Sequence, residues 1–138
     1  MDKIVELRCN LDDMTAEAMG FALERIYEAG AVEAFTMSVM TKKNRMGMLL
    51  TVLVKPDKEE EVVKTIFRYT STIGIRRLVE DRYVLERHEE VKETPDGPVR
   101  IKVSEGYGIC RRKPEYEDLK AIALKTGKSI DQVRTELG

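Results

Sequence analysis

The chain has 138 residues, 42% of them hydrophobic and 36% charged, with a net charge of −1 and a pI near 6.0. That length fits one domain, or one domain with a small appendage, around a core that folds without staples. The acidic balance argues against a non-specific DNA- or RNA-binding protein, which carries a strongly basic surface.

Two cysteines, Cys9 and Cys110, and the single His88 cannot supply a four-ligand zinc site. Cysteines this sparse, behind an amino terminus with no long apolar run, lead to the expectation of a cytoplasmic protein. No run of 18 apolar residues occurs, so no membrane partner is expected.

Ile4 to Leu11 alternates Val5, Leu7, Cys9 and Leu11 against Glu6, Arg8 and Asn10, the pattern of a half-buried strand. Met19, Ala22, Leu23, Ile26 and Tyr27 then follow helical spacing, with Thr15 as N-cap and Gly30 just past the end. Glu33 to Lys42 alternates again, with Phe35, Met37 and Val39 on one face. A turn at Lys43–Gly47 leads to Met48–Val54, apolar on both faces like a central strand. Glu59 to Tyr69 reads as a helix with an acidic first turn, and Ile75 to Arg87 as a long strand.

The order βαββαβ predicts an α+β, ferredoxin-like antiparallel sheet over residues 1–90, with both helices on one face. Residues 91–138 read as an extension of the same domain. Val84–Glu93 and Val99–Ser104 form a hairpin around Pro95-Asp96-Gly97-Pro98. Gly106 and Gly108 loosen the chain, and two helices follow, Pro114 to Lys125 and Ser129 to Leu137.

Four stretches carry chemistry. Asp12 and Asp13 stand before the first helix; they serve its cap, or they offer hard oxygens to Mg²⁺ or Mn²⁺. Lys42, Lys43 and Arg45, with Gly47 behind them, form a solvated hairpin tip or a phosphate loop. Arg77 shares the parity of Ile75 and Val79, so it faces inward and needs an acceptor, with Arg76 taking that place if a bulge shifts the register, or it is an edge or interface arginine. Arg111-Arg112-Lys113 enters a helix whose first turn holds Glu115, Tyr116, Glu117 and Asp118. His88 reads as a solvated imidazole, and Cys9 as a buried, inert thiol.

Five blocks also resemble the LarC family of nickel-insertion proteins. They are Asn-Leu-Asp-Asp-Met-Thr at 10–15, Lys-Lys-Asn-Arg-Met-Gly-Met-Leu-Leu-Thr-Val-Leu at 42–53, Thr-Ser-Thr-Ile-Gly-Ile-Arg at 70–76, Thr-Pro-Asp-Gly-Pro-Val-Arg-Ile-Lys at 94–102, and Lys-Pro-Glu-Tyr-Glu-Asp-Leu at 113–119. The resemblance covers the carboxy-terminal portion of that longer family; the amino-terminal part is missing here. It implies CTP-dependent insertion of Ni²⁺ into pyridinium-3,5-bisthiocarboxylic acid mononucleotide, with nickel handled by the full-length protein. It also implies that this portion binds CTP with Mn²⁺ or Mg²⁺ and forms a homo-oligomer, a trimer or hexamer.

On that basis Asp12 or Asp13 is expected to hold the metal. Lys42, Lys43, Arg45, Gly47 and Arg76 or Arg77 are expected at the triphosphate, with Lys113, Glu115 and Tyr116 flanking the nucleotide. A competing reading is a non-catalytic module that only oligomerises its parent. RNA binding on the open sheet ranks last, because Phe35 is the lone aromatic on the strands expected at the centre.

Overall fold

In the computed structural model, which describes all 138 residues, β1 (Asp2–Leu11) pairs antiparallel with β3 (Arg45–Val54) on one side and β4 (Arg76–Arg82) on the other. With β2 (Glu33–Thr41) on the outer side of β3, the sheet order is β2-β3-β1-β4. This is the expected ferredoxin-like arrangement. The central strands are β3 and β1, and neither carries an aromatic residue; Phe35 lies on the edge strand β2. That weakens the RNA reading further.

Helices α1 (Ala16–Glu28) and α2 (Glu59–Tyr69) cover one face. Val5, Leu7, Cys9 and Leu11 from β1 and Leu50, Val52 and Val54 from β3 meet Met19, Ala22, Ile26, Val62 and Ile66 there, all buried. Thr15 caps α1 by accepting from the Ala18 N–H at 3.1 Å, and Gly30 follows the helix at φ 116°.

The apolar alternation of β2 falls on the other face. Ala34 pairs with Val52 under the helices, so Phe35 and Met37 point away from them and are exposed. A strand's parity shows that two faces differ, but the register to β3 decides which one is covered.

The chain divides into two compact units, Met1–Tyr83 and Val84–Gly138, rather than at residue 90. The long strand expected over Ile75–Arg87 is two strands. β4 ends at Arg82, and β5 (Glu86–Thr94) begins the second unit, pairing with β6 (Gly97–Gly106) as the expected hairpin.

A third strand, β7 (Ile109–Pro114), pairs with β6, and it was not expected. Gly106, Tyr107 and Gly108 have φ of 148°, 51° and 74° and turn the chain back on itself. The glycines read as a loosened segment are a tight hairpin. The Arg111–Lys113 run therefore lies on a strand, and α3 starts only at Tyr116, running to Thr126. With α4 (Ile130–Leu137), α3 packs Leu119, Ile122, Val133 and Leu137 on Val99, Ile101 and Val103.

Ion pairs rim the sheets. Arg82 bonds Asp2 at 3.0 Å, Arg77 bonds Glu59 at 2.9 Å, and Arg100 holds Asp118 through its side chain at 2.9 Å and its backbone N–H at 2.8 Å. In each pair the hydrogen bond from the arginine holds the carboxyl below its ordinary range. A carboxyl with a depressed folded pKa stabilises the fold above its unfolded value of about 4, and that stability goes as the pH falls through the folded value. Thermal unfolding should therefore change little between pH 7 and 5 and weaken below about pH 4. The Glu59→Gln variant should show a smaller acid-induced drop than the wild type; an identical drop would remove that pair from the account.

Candidate functional site

One end of the first unit gathers three chain reversals. β1 runs out into Asp12 and Asp13 before the α1 cap. Residues 42–44 turn β2 into β3, and residues 70–75 lead from α2 into β4. All three follow from the antiparallel order, which places the end of β1 beside the β2–β3 turn and the start of β4.

Contact between the first two is close. The guanidinium of Arg45 lies 3.5 Å from the Asp12 carboxylate, and Leu11 pairs with Met48 in register. Gly47 makes the approach possible. A Cβ built there would stand 2.6 Å from the Leu11 carbonyl oxygen and 3.4 Å from Asp12 Cα. Its missing side chain thus admits the Asp12 turn itself, where phosphate approach had been expected.

The third segment is tied on through Asp13. Ser71 donates to the Asp13 carboxylate at 2.5 Å, and Thr72 faces the Cys9 thiol, whose pKa burial pushes up. Asp12 and Asp13 are thus engaged by different segments, the first by β3 and the second by the 70–75 loop. Ser71 escaped sequence reasoning. The run Thr70-Ser71-Thr72 before Gly74 was the available signal: Thr70 donates to the Ile66 carbonyl and Thr72 to the Gly74 carbonyl, which leaves Ser71 for Asp13.

Asn10, Leu11, Asp12, Thr41 and Lys42 line a cleft of about 190 Å³. Whole ligands occupy pockets of roughly 300–1,000 Å³. This cleft suits an ion and its phosphate oxygens, with a nucleoside extending beyond it.

The cations divide into those with partners and those without. Arg77 lies on the helix-covered face opposite Leu7, as its parity implied, but it is exposed because β4 is an edge strand, and its acceptor is Glu59. Arg8 is bonded to Glu6 at 2.9 Å. Arg76, opposite Arg8 on the open face, is exposed and lines a second cleft of about 210 Å³ with Glu6, Arg8, Arg77 and Leu78. Lys42, Lys43 and Arg76 make no ion pair in the first unit, so between the two arginines Arg76 is the one available to a ligand.

Lys43 sits at φ 60° and Asn44 at φ 57°. Asparagine tolerates the left-handed region, whereas lysine there costs about 1–2 kcal/mol. The turn holds a cation in a conformation glycine would adopt more easily. The Lys43→Gly variant should gain roughly 0.5 kcal/mol in chemical denaturation, the relieved strain being partly offset by glycine's greater freedom when unfolded. It should lose nucleotide affinity if the ammonium meets phosphate. A loss of stability would contradict the strain argument.

No group of three or more His, Cys, Asp or Glu side chains gathers in a way that could hold a metal. The donor set at the cleft is one carboxylate, Asp12, with the Asn10 amide and the Thr41 hydroxyl, all hard oxygens. That set fits Mg²⁺ or Mn²⁺ arriving with phosphate oxygens, since such ions keep several waters and take one or two carboxylates.

Of the remaining expected residues, all in the second unit, Glu115 is the N-cap of α3; its backbone N–H donates to the Arg100 carbonyl at 2.9 Å, and its carboxylate accepts from Lys102 at 3.0 Å. Lys113 and Tyr116 are exposed.

The nickel insertion protein family model matches residues 1–134, and the chain belongs to that family. Within it, the chain fits the carboxy-terminal domain of LarC. The apo structure of LarC2, described as the C-terminal domain of a cyclometallase involved in synthesis of the NPN cofactor of lactate racemase, is 32% identical. It superposes with a TM-score of 0.78 over 96% of this chain and 92% of that one.

A Methanopyrus kandleri protein superposes with a TM-score of 0.72 at 26% identity, over 96% of this chain and 84% of its own. The pyridinium-3,5-bisthiocarboxylic acid mononucleotide nickel insertion protein of Acetivibrio thermocellus is 42% identical over 132 residues, 96% of this chain and 32% of that protein. A putative nickel insertion protein of Picosynechococcus is 41% identical over 94% of this chain and 31% of its own length. The chain thus spans about a third of the curated relatives it matches.

Proposed function

We propose that this chain is the nucleotide-binding part of a nickel-insertion system, taking CTP with Mn²⁺ or Mg²⁺ at the Asp12 end of its first unit. The system as a whole places Ni²⁺ into pyridinium-3,5-bisthiocarboxylic acid mononucleotide, in the cytoplasm. The rest of the longer protein handles the nickel, because a buried Cys9, an exposed Cys110 and a lone His88 make a poor set of nickel ligands.

The observation that carries this reading is the seating of the Lys42–Arg45 turn on the Asp12 turn, with Gly47 as the contact point. In the proposal Asp12 takes the divalent ion. Lys42, Lys43, Arg45 and Arg76 take the phosphates, and Asp13 positions the 70–75 loop through Ser71. A bound divalent ion draws phosphate oxygens together and screens their charge. Four cations beside two carboxylates leave the region positive, as a polyanion requires.

Exposed Phe35, Met37 and Leu78 on the uncovered sheet face also favour self-association, as a trimer or hexamer. That supports the alternative of a purely oligomerising module. A thermal-shift panel of the four nucleoside triphosphates, with and without Mn²⁺, separates the two. Nucleotide binding predicts a rise in the midpoint that needs both CTP and metal. A flat panel leaves only assembly.

A further inference from the structure

The two sheets have four edge strands, and three of them guard their free edges with charge. β4 carries Arg76, Arg77, Glu80, Asp81 and Arg82, β5 mixes acids and bases along its length, and β7 holds Arg111, Arg112 and Lys113 and ends in Pro114. Such residues keep an unpaired strand from recruiting another chain. β2 is the exception. Residues 34–41 read Ala-Phe-Thr-Met-Ser-Val-Met-Thr, with no charge and no proline, and they pair with β3 in unbroken register.

One end of that edge is already closed. The Tyr27 hydroxyl donates to the Ala34 carbonyl at 2.9 Å and accepts from the Ala34 N–H at 3.0 Å. Both backbone groups of Ala34 therefore point away from β3, and in an antiparallel strand every second residue does the same. Thr36, Ser38 and Met40 follow, and their outward N–H and C=O groups have no partner in the chain. Phe35, Met37 and Met40 are exposed along the same stretch.

We propose that this edge pairs with the β2 edge of a second copy, antiparallel about a two-fold axis at Ser38. The occupant follows from the strand itself. Centred on Ser38, the register uses every open residue: Thr36 exchanges both bonds with the partner's Met40, Ser38 with the partner's Ser38, and Met40 with the partner's Thr36. Centring on Met37 would oppose Met40 to the partner's Ala34, whose groups a tyrosine holds, and centring on Val39 would run Thr36 onto the turn at the partner's Lys42. On the uncovered face the chosen register sets Met37 against the partner's Val39, so apolar side chains meet. Glu33, the only charge on β2, falls outside the paired stretch, and no like charges are opposed within it. The contact joins two four-stranded sheets into one through main-chain bonds. It is thus distinct from association through the uncovered face, and it does not depend on nucleotide.

The test is sedimentation velocity on the full chain in EDTA, without nucleotide, comparing wild type with Ser38→Lys and Ser38→Glu. Ser38 is exposed, so either charge leaves the fold intact, which the melting midpoint checks. In this register each new charge meets its own copy, so each variant alone should dimerise at least roughly tenfold more weakly than wild type. An equimolar mixture of the two should regain the dimer, because lysine then opposes glutamate. In wild type, the amides of Thr36, Ser38 and Met40 should exchange more slowly as concentration rises, a measurement that needs no variant.

A wild-type chain that stays monomeric up to about 1 mM overturns the proposal. Variants that associate as wild type does also overturn it and move the contact to another surface, such as the face bearing Phe35 and Leu78. A mixture that fails to recover the dimer overturns the register centred on Ser38.

Discussion

Replacing Asp12 by Asn should reduce Mn²⁺-dependent CTP affinity by at least roughly a hundredfold in calorimetry, the scale expected when a hard ion loses its only carboxylate ligand. The fold should survive, because Asp12 is partly exposed and its one ion pair, to Arg45 at 3.5 Å, is long. Exposed pairs of that kind contribute little to stability. Asp13→Asn should behave differently. Its oxygen still accepts from Ser71, so affinity should fall only about threefold, a cost of under 1 kcal/mol. Equal losses at the two positions would mean that both carboxylates touch the ion and that the division of roles between them is wrong.

The Gly47→Ala variant should be the most damaging single methyl group at this end of the molecule. A Cβ 2.6 Å from the Leu11 carbonyl cannot be accommodated, and the obstacle is backbone on a central strand rather than a flexible side chain. Either β3 retreats or the Asp12 turn moves. Overpacking of this kind costs about 1–3 kcal/mol, which lowers the melting midpoint by several degrees. Nucleotide affinity should fall as well, since the turn and the hairpin lose their register. Gly20→Ala is the control. It lies within α1 with nothing inside 4 Å of a new Cβ, and alanine is preferred there by about 1 kcal/mol. If both variants destabilise equally, the close approach at Gly47 is not what selects glycine.

Local chemistry made much of the first unit readable. Thr15 and Gly30 mark the ends of α1 by their own preferences, and the double-sided apolar run Met48–Val54 identifies a central strand. What escaped depends on partners distant in sequence. Parity put Arg77 on the core face but left open whether it is buried or an edge arginine, and it does share that face with Leu7. An edge strand leaves that position open, and Glu59 from α2 supplies the acceptor. Nothing in the spacing of residues 76–82 says that β4 is an edge.

The second unit shows a different failure. Gly106 and Gly108 signal conformational freedom, which serves a loose segment and a tight turn equally well. The alternation of Ile109 to Pro114 is too short and too charged to announce a strand, so β7 was hidden within a basic run. As for the candidate site, both acidic and basic stretches were legible as residue types. Their meeting at Gly47, and the tie from Ser71 to Asp13, come from the sheet order.

Paramagnetic broadening in an amide NMR spectrum tests the central claim most directly, because Mn²⁺ bleaches signals by proximity alone. With CTP present, substoichiometric Mn²⁺ should erase the amides of residues 10–14, 41–47 and 71–76 together and leave those of α1's far end visible. Broadening that misses Asp12, or that is the same with and without nucleotide, would contradict a nucleotide held through a metal where these three reversals meet.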